Sequence, residues 1–275
     1  MKLLKSIVHI ILIALLTLIT QVGGLFYLIA LILRPLVLKR LKGKHRKLVL
    51  LGLFLICYAF GSFLLVPRLA KSFGREALPI YSSENLKPLT IMTCILNRHY
   101  VNTRLKNSLQ NVAHKMEKKH PNTVISYLDA NFPFYNGFPL LPHLSHNDGK
   151  KVDLAFFYKD KDGEELNKTA PSYMGYGVYE APKKDEYNTP ENCENKGYWQ
   201  YSLLEKIVPQ WNKDNMLFDQ KRTKSLIQFL LRENSTQKIF IEPHLKGRMR
   251  LTNTKVRFHG CGAVRHDDHI HLQIR

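Results

Sequence analysis

Three histidines and two aspartates stand close together at the carboxyl terminus, where residues 265–275 read RHDDHIHLQIR. Successive side chains of a β-strand point to opposite faces of the sheet. We therefore expect the isoleucine and leucine side chains of this segment to face the core, while His269 and His271 face the other way. Two imidazoles held by one rigid strand are suited to bind a metal ion or to move protons near one.

A second group lies upstream, where residues 145–153 read SHNDGKKVD. His146 ends a proline-rich loop, Asp153 begins a predicted strand, and Gly149 between them allows a tight turn. A catalytic zinc ion takes three protein ligands from His, Asp, Glu or Cys and keeps one position open. His146 and Asp153, with one histidine of the terminal strand, would complete such a set. Each group alone is also compatible with an ordinary surface, because short motifs often match by chance.

Taken together, the two groups resemble the zinc metallopeptidases of the lysostaphin, D-Ala-D-Ala carboxypeptidase and hedgehog type. The shared signature is close to S-x-H-x-x-G-x-x-x-D with a later histidine, and the terminal H-D-D-H-I-H looks most like the last strand of the penicillin-insensitive murein endopeptidases. The resemblance covers these two motifs and not the amino-terminal part. It implies that His146, Asp153 and His271 bind Zn²⁺. The sequence departs from the signature at Ser145, which directly precedes His146.

The same resemblance implies a catalytic set of His269, Asp268 and His266. In the carboxypeptidases an acid three residues before the last ligand is the general base, and Asp268 has that position. In the endopeptidases the second histidine assists instead, and His269 has that position. Strand alternation favours His269, although both residues remain candidates. His266 would support the site and help to stabilise an oxyanion.

The activity that the resemblance implies is zinc-dependent hydrolysis of peptide bonds in the peptide stems of peptidoglycan. The first hypothesis is a murein DD- or LD-endopeptidase that cuts crosslinks. The alternatives are a D,D-carboxypeptidase that removes terminal D-Ala, which Asp268 favours, and a non-catalytic membrane-anchored protein that binds the cell wall. The intact set of predicted ligands disfavours the non-catalytic protein.

Other residues near the motifs are open to two interpretations. His143, His244 and His259 are interpreted first as structural or surface histidines and second as lining of a pocket. Four aromatic residues could equally form the wall of a substrate groove or pack in the core: Tyr173, Tyr176, Tyr179 and Trp199.

The chain of 275 residues carries a formal net charge of +19, a value typical of nucleic-acid-binding proteins. The charge is unevenly placed, because residues 1–75 contain twelve of the 41 Lys and Arg residues and no Asp or Glu. The remaining 200 residues carry the other 29 basic residues and all 22 acidic ones, a net charge of +7. We therefore expect no nucleic-acid partner and interpret the amino-terminal charge as a sign of membrane topology.

Residues 7–33 and 48–67 are two uncharged, apolar runs, each of the length that a transmembrane helix needs. The alternative for the first run is a cleavable signal peptide, but its apolar core is usually about 7–15 residues long. The loop 34–47 holds seven basic residues and is predicted to be cytoplasmic, since short basic loops stay on that side. The following domain is then on the periplasmic, extracytoplasmic side of the cytoplasmic (inner) membrane. Lys2 and Lys5 weakly oppose this topology, because it places them on the outer side as well.

After a membrane anchor at 1–67, we expect a linker at 68–85 and a zinc peptidase-like domain at 86–275. Strands do not alternate regularly with helices there, which favours an α+β fold with a mainly antiparallel sheet and flanking helices. The patterns predict helices at 104–119 and 221–233 and strands at 90–96, 123–128, 152–158, 238–241 and 255–258, besides the terminal strand.

The cysteines also indicate the compartment of this domain. Cys94, Cys193 and Cys261 all lie in the region that we expect to be translocated. An oxidising compartment favours one disulfide and one remaining thiol among them. The sequence does not choose the pair.

Overall fold

The computed structural model describes residues 2–39 and 46–275, and the first part of the chain is helical. The predicted cytoplasmic loop therefore lies partly outside the described residues, at 40–45. Among the described residues, two helices are long and apolar enough to cross a membrane, Leu3–Thr20 and Lys47–Phe73. The amino-terminal elements are α1 (Lys2–Thr20), α2 (Gly23–Leu38), α3 (Arg46–Phe60), a π-helical turn (Gly61–Leu65), α4 (Val66–Ala70) and a 3₁₀ turn (Lys71–Phe73).

The first apolar run, predicted as one helix over 7–33, is divided into two helices. Gln21 adopts a left-handed conformation (φ 63°), and α2 then folds back along α1. The close approach depends on glycine, because a Cβ on Gly24 would lie 2.1 Å from the hydroxyl of Thr17. A hydrogen bond of 2.8 Å between His9 Nδ1 and the hydroxyl of Tyr27 also joins the two helices. The run is therefore a helical hairpin, which places the start of α1 and the end of α2 on the same side.

The strands of the described residues form three sheets, of which the largest holds the candidate site. The order in this six-stranded sheet is β10-β9-β11-β5-β4-β2, β1 pairs with β3, and the third sheet has the order β7-β6-β8. The strands are β1 (Glu76–Ala77), β2 (Leu86–Pro88), β3 (Tyr100–Val101), β4 (Ile125–Tyr127), β5 (Lys151–Ala155), β6 (Tyr158–Lys159), β7 (Glu165–Leu166), β8 (Leu217–Phe218), β9 (Thr236–Phe240), β10 (Val256–Arg257) and β11 (His269–Ile274).

The helices of the domain pack beside this sheet, and the two longest ones begin where a polar side chain caps them. Asn102 accepts a hydrogen bond from the backbone of Leu105, and Asp219 accepts one from the backbone of Arg222. The helices are α5 (Ile91–Ile95), α6 (Thr103–Lys119), α7 (Thr189–Asn195), α8 (Leu203–Ile207), α9 (Gln220–Arg232) and α10 (Pro243–Arg248), with 3₁₀ turns at Trp199–Ser202 and Lys213–Asn215. The predicted helices at 104–119 and 221–233 are confirmed. The predicted strand at 90–96 is wrong, because this segment forms α5 and buries Cys94.

The fold is α+β, as predicted, but the sheet is mixed and not mainly antiparallel. Its three central pairings are antiparallel, whereas β2 pairs with β4 and β9 pairs with β10 in parallel. The physical reason is the connection, since parallel neighbours require a crossover. Helix α6 lies between β2 and β4 along the chain, and α10 lies between β9 and β10. The site itself is built on the antiparallel centre.

The stretch 68–85, predicted as a linker, is instead part of the folded unit. Its residues Arg75 and Leu78 are buried, and β1 pairs with β3 of the domain. The amino-terminal helices also contact the domain directly. Backbone N–H of Phe134 donates to the side chain of Gln21 at 2.9 Å, and the hydroxyl of Tyr58 donates to the carbonyl of Ile95 at 2.6 Å. The tip of the helical hairpin and the end of α3 therefore lie against the domain.

Candidate metal centre

Two adjacent central strands bring the first two site residues together. The antiparallel register of β5 and β11 places His271 opposite Asp153. Directly opposed residues have Cβ atoms about 4.5–5.5 Å apart and on the same face. On the other face, Ile270 and Leu272 are buried in the core. The predicted alternation of apolar and histidine side chains along β11 is confirmed. Because the apolar face is buried in the core, His271 lies on the face that carries Asp153.

His146 reaches the same point from the loop between β4 and β5. Its Nδ1 lies 2.7 Å from the backbone carbonyl of Ala130. Because a carbonyl oxygen can only accept, Nδ1 carries the proton of this imidazole and Nε2 keeps a free lone pair. A metal-binding histidine usually has its other nitrogen anchored in this way. His146 is thus oriented with Nε2 toward Asp153 and His271.

The loop that carries His146 closes at Gly149, which has φ 75°. A Cβ at this position would lie 2.0 Å from Nη1 of Arg75, so the position needs glycine for its conformation and for the close approach. Arg75 in turn donates a hydrogen bond of 2.7 Å to the carbonyl of Asp148. The predicted role of Gly149 is therefore confirmed, and the stretch predicted as a linker helps to hold the loop.

The three candidate ligand atoms converge on one point. Nε2 of His146 lies 3.0 Å from Nδ1 of His271, and Oδ1 of Asp153 lies 3.3 Å from the former and 3.0 Å from the latter. Ligand atoms bound about 2.0–2.1 Å from a tetrahedral ion would be about 3.3–3.4 Å apart, which is close to these values. All three residues are buried. This group could therefore hold a metal ion.

The protonation of the three residues also fits a metal site. Burial opposes ionisation of Asp153, but the interactions of its carboxylate with His146, His269 and His271 hold its pKa well below the usual range. Burial lowers the pKa of His271 to about 4, although Asp153 partly opposes this. Oδ1 of Asp153 has no hydrogen-bond partner among residues 2–39 and 46–275. An ionised carboxylate and neutral imidazoles are the forms that bind metal ions.

His269 and Asp268 lie next to this group and contact each other. Nδ1 of His269 forms a hydrogen bond with Oδ1 of Asp268, while its Nε2 lies 3.7 Å from Oδ2 of Asp153. The other oxygen of Asp268 accepts a hydrogen bond of 2.6 Å from the backbone N–H of Gly177. Burial lowers the pKa of His269, but Asp153 and Asp268 outweigh it and raise the pKa to about 9. Asp268 thus contacts the ring nitrogen of His269 that is opposite to the one on the side of Asp153.

A cavity of about 200 Å³ borders the group and is lined by several histidines. His266 is buried, and neither of its ring nitrogens has a hydrogen-bond partner within the described chain. Its burial, together with the neighbouring His269 and His271, holds its pKa well below the usual range, so it is neutral. His259 lines the same cavity and stacks on Phe240 with ring centroids 4.1 Å apart.

Two residues beside the ligands were not assigned to the site from the sequence. The hydroxyl of Tyr176 donates to Oδ2 of Asp153 at 2.9 Å, and Nδ1 of His143 lies 3.6 Å from the same oxygen. His143 also approaches Asp129, whose pKa is lowered by His143 and Arg98 despite its burial. The spacing of His143, three residues before His146, is the sequence signal that could have indicated its place. Tyr176 was predicted only as a residue of a groove wall or of the core, because the fold alone brings its loop to β5.

Outside the cavity, ion pairs and a disulfide hold the segment before β11. Arg265 forms a bidentate ion pair with Asp267 at 2.6 and 2.8 Å, and its guanidinium stacks over the ring of Tyr179. Cys193 of α7 is bonded to Cys261, which precedes three residues that line the cavity. The prediction of one disulfide is confirmed, and Cys94 remains a buried thiol. His244, in contrast, binds the carbonyl of Glu180 and lies away from the cavity lining.

No protein-family model matches the chain, and a search of curated proteins finds no match.

Proposed function

We propose that the His146–Asp153–His271 group is the centre of a zinc-dependent hydrolase. The observation that carries the proposal is the convergence of three buried ligand atoms 3.0–3.3 Å apart, next to a histidine that is not a ligand. Three protein ligands of the His and Asp type, with one position left open, are typical of catalytic zinc. The ligand chemistry fits zinc better than calcium or magnesium, which prefer oxygen ligands.

The residues around the group support amide hydrolysis. Bound zinc would supply an acidified water and polarise the scissile carbonyl. His269 is held by Asp268 with Nε2 toward the centre. Beside the positive charge of a bound zinc ion, the raised pKa of His269 would fall, so that its neutral form could accept a proton from water and return it to the leaving amine. His266 borders the cavity as a neutral imidazole and can donate a hydrogen bond to the developing oxyanion. Asp268 positions the base in this mechanism, since both of its oxygens are engaged by His269 and Gly177.

The proposed substrate is the peptide stem of peptidoglycan, and the proposed reaction is cleavage of crosslinks. Asp268 contacts Nδ1 of His269 and so positions this histidine as the base, which supports an endopeptidase. In a carboxypeptidase, Asp268 itself would be the base. A disulfide is typical of proteins outside the cytoplasm, where peptidoglycan is located. Contact between the domain and the ends of the membrane helices would keep the site near the membrane surface.

The proposed topology has three membrane passes and an amino terminus in the cytoplasm. Because α2 folds back along α1, Lys2 and Lys5 lie at the same end of the hairpin as Arg34 and Lys39, opposite to the domain. The two lysines then support the positive-inside rule, whereas a single helix over 7–33 places them outside. Helix α2 has 16 residues, about 24 Å, and Arg34 near its end can extend to the membrane interface. The domain remains on the extracytoplasmic side.

Digestion of purified muropeptides by the full-length protein in detergent tests the function. Crosslinked dimers should be converted to monomers, a chelator should stop the reaction, and zinc should restore it. His271→Ala should be inactive, whereas His114→Ala, an exposed histidine on α6, should retain activity. Release of free D-Ala without loss of dimers would assign a carboxypeptidase. Binding of muropeptides without any cleavage would assign a non-catalytic protein.

A further inference from the structure

A second cleft, of about 370 Å³, lies on the domain and carries two exposed aromatic side chains. Tyr173 is 71% exposed and Trp211 is 78% exposed, and both line this cleft. Leu89, Ala170 and Pro171 add apolar side chains to the lining of the same cleft. Sites for small ligands are typically concave and lined by apolar and aromatic side chains. The cleft therefore has the surface of a binding site for a flat and partly apolar group.

Polar groups in the same cleft point to a ligand with hydroxyl or amide groups. The hydroxyl of Ser172 is buried and has no hydrogen-bond partner in the described part of the chain. An unsatisfied buried hydroxyl is costly, and a bound ligand would satisfy it. Lys168 and Asn212 line the same cleft, and Lys168 has a φ of 53°, which is strained for a residue with a side chain. Such strained residues cluster at ligand sites.

A pyranose sugar ring combines these two requirements. Its axial C–H bonds form an apolar face that packs on the electron-rich face of an aromatic ring. Its equatorial hydroxyl and N-acetyl groups lie at the rim of the ring, where they can exchange hydrogen bonds with serine, asparagine and lysine. A purely apolar ligand would leave Ser172 unsatisfied, and a highly charged one would gain little from Tyr173 and Trp211.

The cleft is connected to the candidate metal centre by a short stretch of chain. Tyr173 precedes Tyr176 by three residues, so their Cα atoms are at most about 11 Å apart. The hydroxyl of Tyr176 contacts Asp153, as described above. Gln210, next to Trp211, donates to the carbonyl of Gly177 at 2.8 Å, and the N–H of Gly177 donates to Asp268. Both walls of the cleft are thus tied to residues of the centre.

We propose that this cleft binds a sugar ring of the peptidoglycan glycan strand by stacking on Trp211 and Tyr173. The inference rests on the proposed function for the identity of the polymer. Sugar binding in this cleft makes the protein selective for stem peptides that are still attached to glycan. The cleavable bonds of such a peptide are only a few residues from the sugar, so one substrate can reach both the cleft and the candidate metal centre.

Binding of a chitin tetrasaccharide, which has N-acetylated sugar rings and no peptide stem, tests the cleft. The chain has two tryptophans, so the full-length Trp199→Phe variant in detergent leaves Trp211 as the single tryptophan reporter. Its fluorescence should change saturably with the tetrasaccharide. By calorimetry, Trp211→Ala and Tyr173→Ala should each bind about tenfold more weakly, which is a loss of about 1.4 kcal/mol. Trp199→Phe is the matched control, because Trp199 is also exposed but does not line the cleft.

Absence of saturable binding, equal affinity in the Trp211→Ala variant, or a response to a free stem peptide in place of the sugar would each overturn the inference. Thermal unfolding should be unchanged in these variants, since both side chains are mostly exposed. In the digestion assay, Trp211→Ala should raise KM for glycan-linked stems but not for free crosslinked peptides. Sugar binding without peptide cleavage would reject the proposed function alone, and cleavage without sugar binding would reject this inference alone.

Discussion

At the scale of single residues, the candidate centre is defined by how neighbours set the protonation of each ligand. Ala130 retains the proton on Nδ1 of His146, burial keeps His271 neutral, and the surrounding histidines keep Asp153 ionised. Each residue is therefore already in its metal-binding form. His269 differs, because its Nδ1 contacts Asp268 and its proposed role is proton transfer.

We expect His271→Ala and Asp153→Asn to lose stoichiometric zinc. Removal of one of three ligands should lower zinc affinity by more than the ~10–100-fold typical of residues that only support a ligand. Elemental analysis of the full-length protein purified in detergent measures this. His114→Ala is the control and should retain zinc. Wild-type zinc content in both ligand variants would contradict the assignment.

Asp268→Asn preserves the size of the side chain and removes its charge. Because Asp268 contacts His269 and not the ligand group, the variant should retain zinc and KM, while kcat should fall by about 10²–10⁴-fold. Steady-state kinetics on crosslinked muropeptides, together with zinc analysis, tests both parts. A loss of zinc would instead assign Asp268 to the ligand set.

At the scale of elements, the pairing of β5 with β11 and the closure of the loop before β5 bring the ligands together. The two strands lie side by side in the sheet although they are far apart in the chain. The loop adds His146 through the turn at Gly149, and the disulfide holds the segment that leads into β11. The position of the centre therefore depends on backbone geometry as much as on side chains.

Gly149→Ala should destabilise the domain and weaken zinc binding. An alanine there has a strained positive φ, which costs about 1–3 kcal/mol, and its Cβ would clash with Arg75. Thermal unfolding and zinc titration of the full-length protein measure the two effects. Gly137→Ala is a matched control, because Gly137 also has a positive φ (79°) but open space around it. Equal effects of the two substitutions would argue against the close contact with Arg75.

Replacement of both Cys193 and Cys261 with Ser should lower the free energy of unfolding by about 4 kcal/mol, the value expected for opening a loop of 68 residues. Denaturant titration gives this value. A reducing agent should shift the midpoint of the wild-type protein in the same direction and leave that of the double variant unchanged. If the reducing agent affects both proteins equally, the disulfide is not the cause.

At the scale of the whole molecule, the amino-terminal helices and the domain form a continuous structure. The stretch expected to be a linker is packed, and the helical hairpin contacts the domain through Gln21. This arrangement places the basic residues at both ends of the hairpin on the side opposite to the domain. The excess of positive charge in residues 1–75 is therefore compatible with the proposed membrane topology.

A reporter fused before Met1 should be active in the cytoplasm, and one fused after Arg275 should be active outside it. Three membrane passes require the two termini to be on opposite sides, whereas two passes place both on the same side. Paired fusions to an enzyme that works only in the cytoplasm and to one that works only in the periplasm measure this. An amino-terminal reporter that is active only outside would refute the hairpin topology, and a carboxyl-terminal reporter active only in the cytoplasm would refute the location of the domain.

Local patterns in the sequence were sufficient for the α+β class, for α6 and α9, and for the alternation of β11, since these depend on the spacing of apolar side chains along one segment. Residue types and spacing also pointed to His146 and Asp153 with one histidine of the terminal strand, whereas the choice of His271 came from the resemblance to the zinc metallopeptidases. Four features could be identified only from the tertiary structure: the parallel outer strands, the break at Gln21, the disulfide pair and the contact of Tyr176 with Asp153. Each of these depends on contacts between segments distant in the chain, and such contacts are decided by packing and crossover connections that no short stretch of sequence encodes.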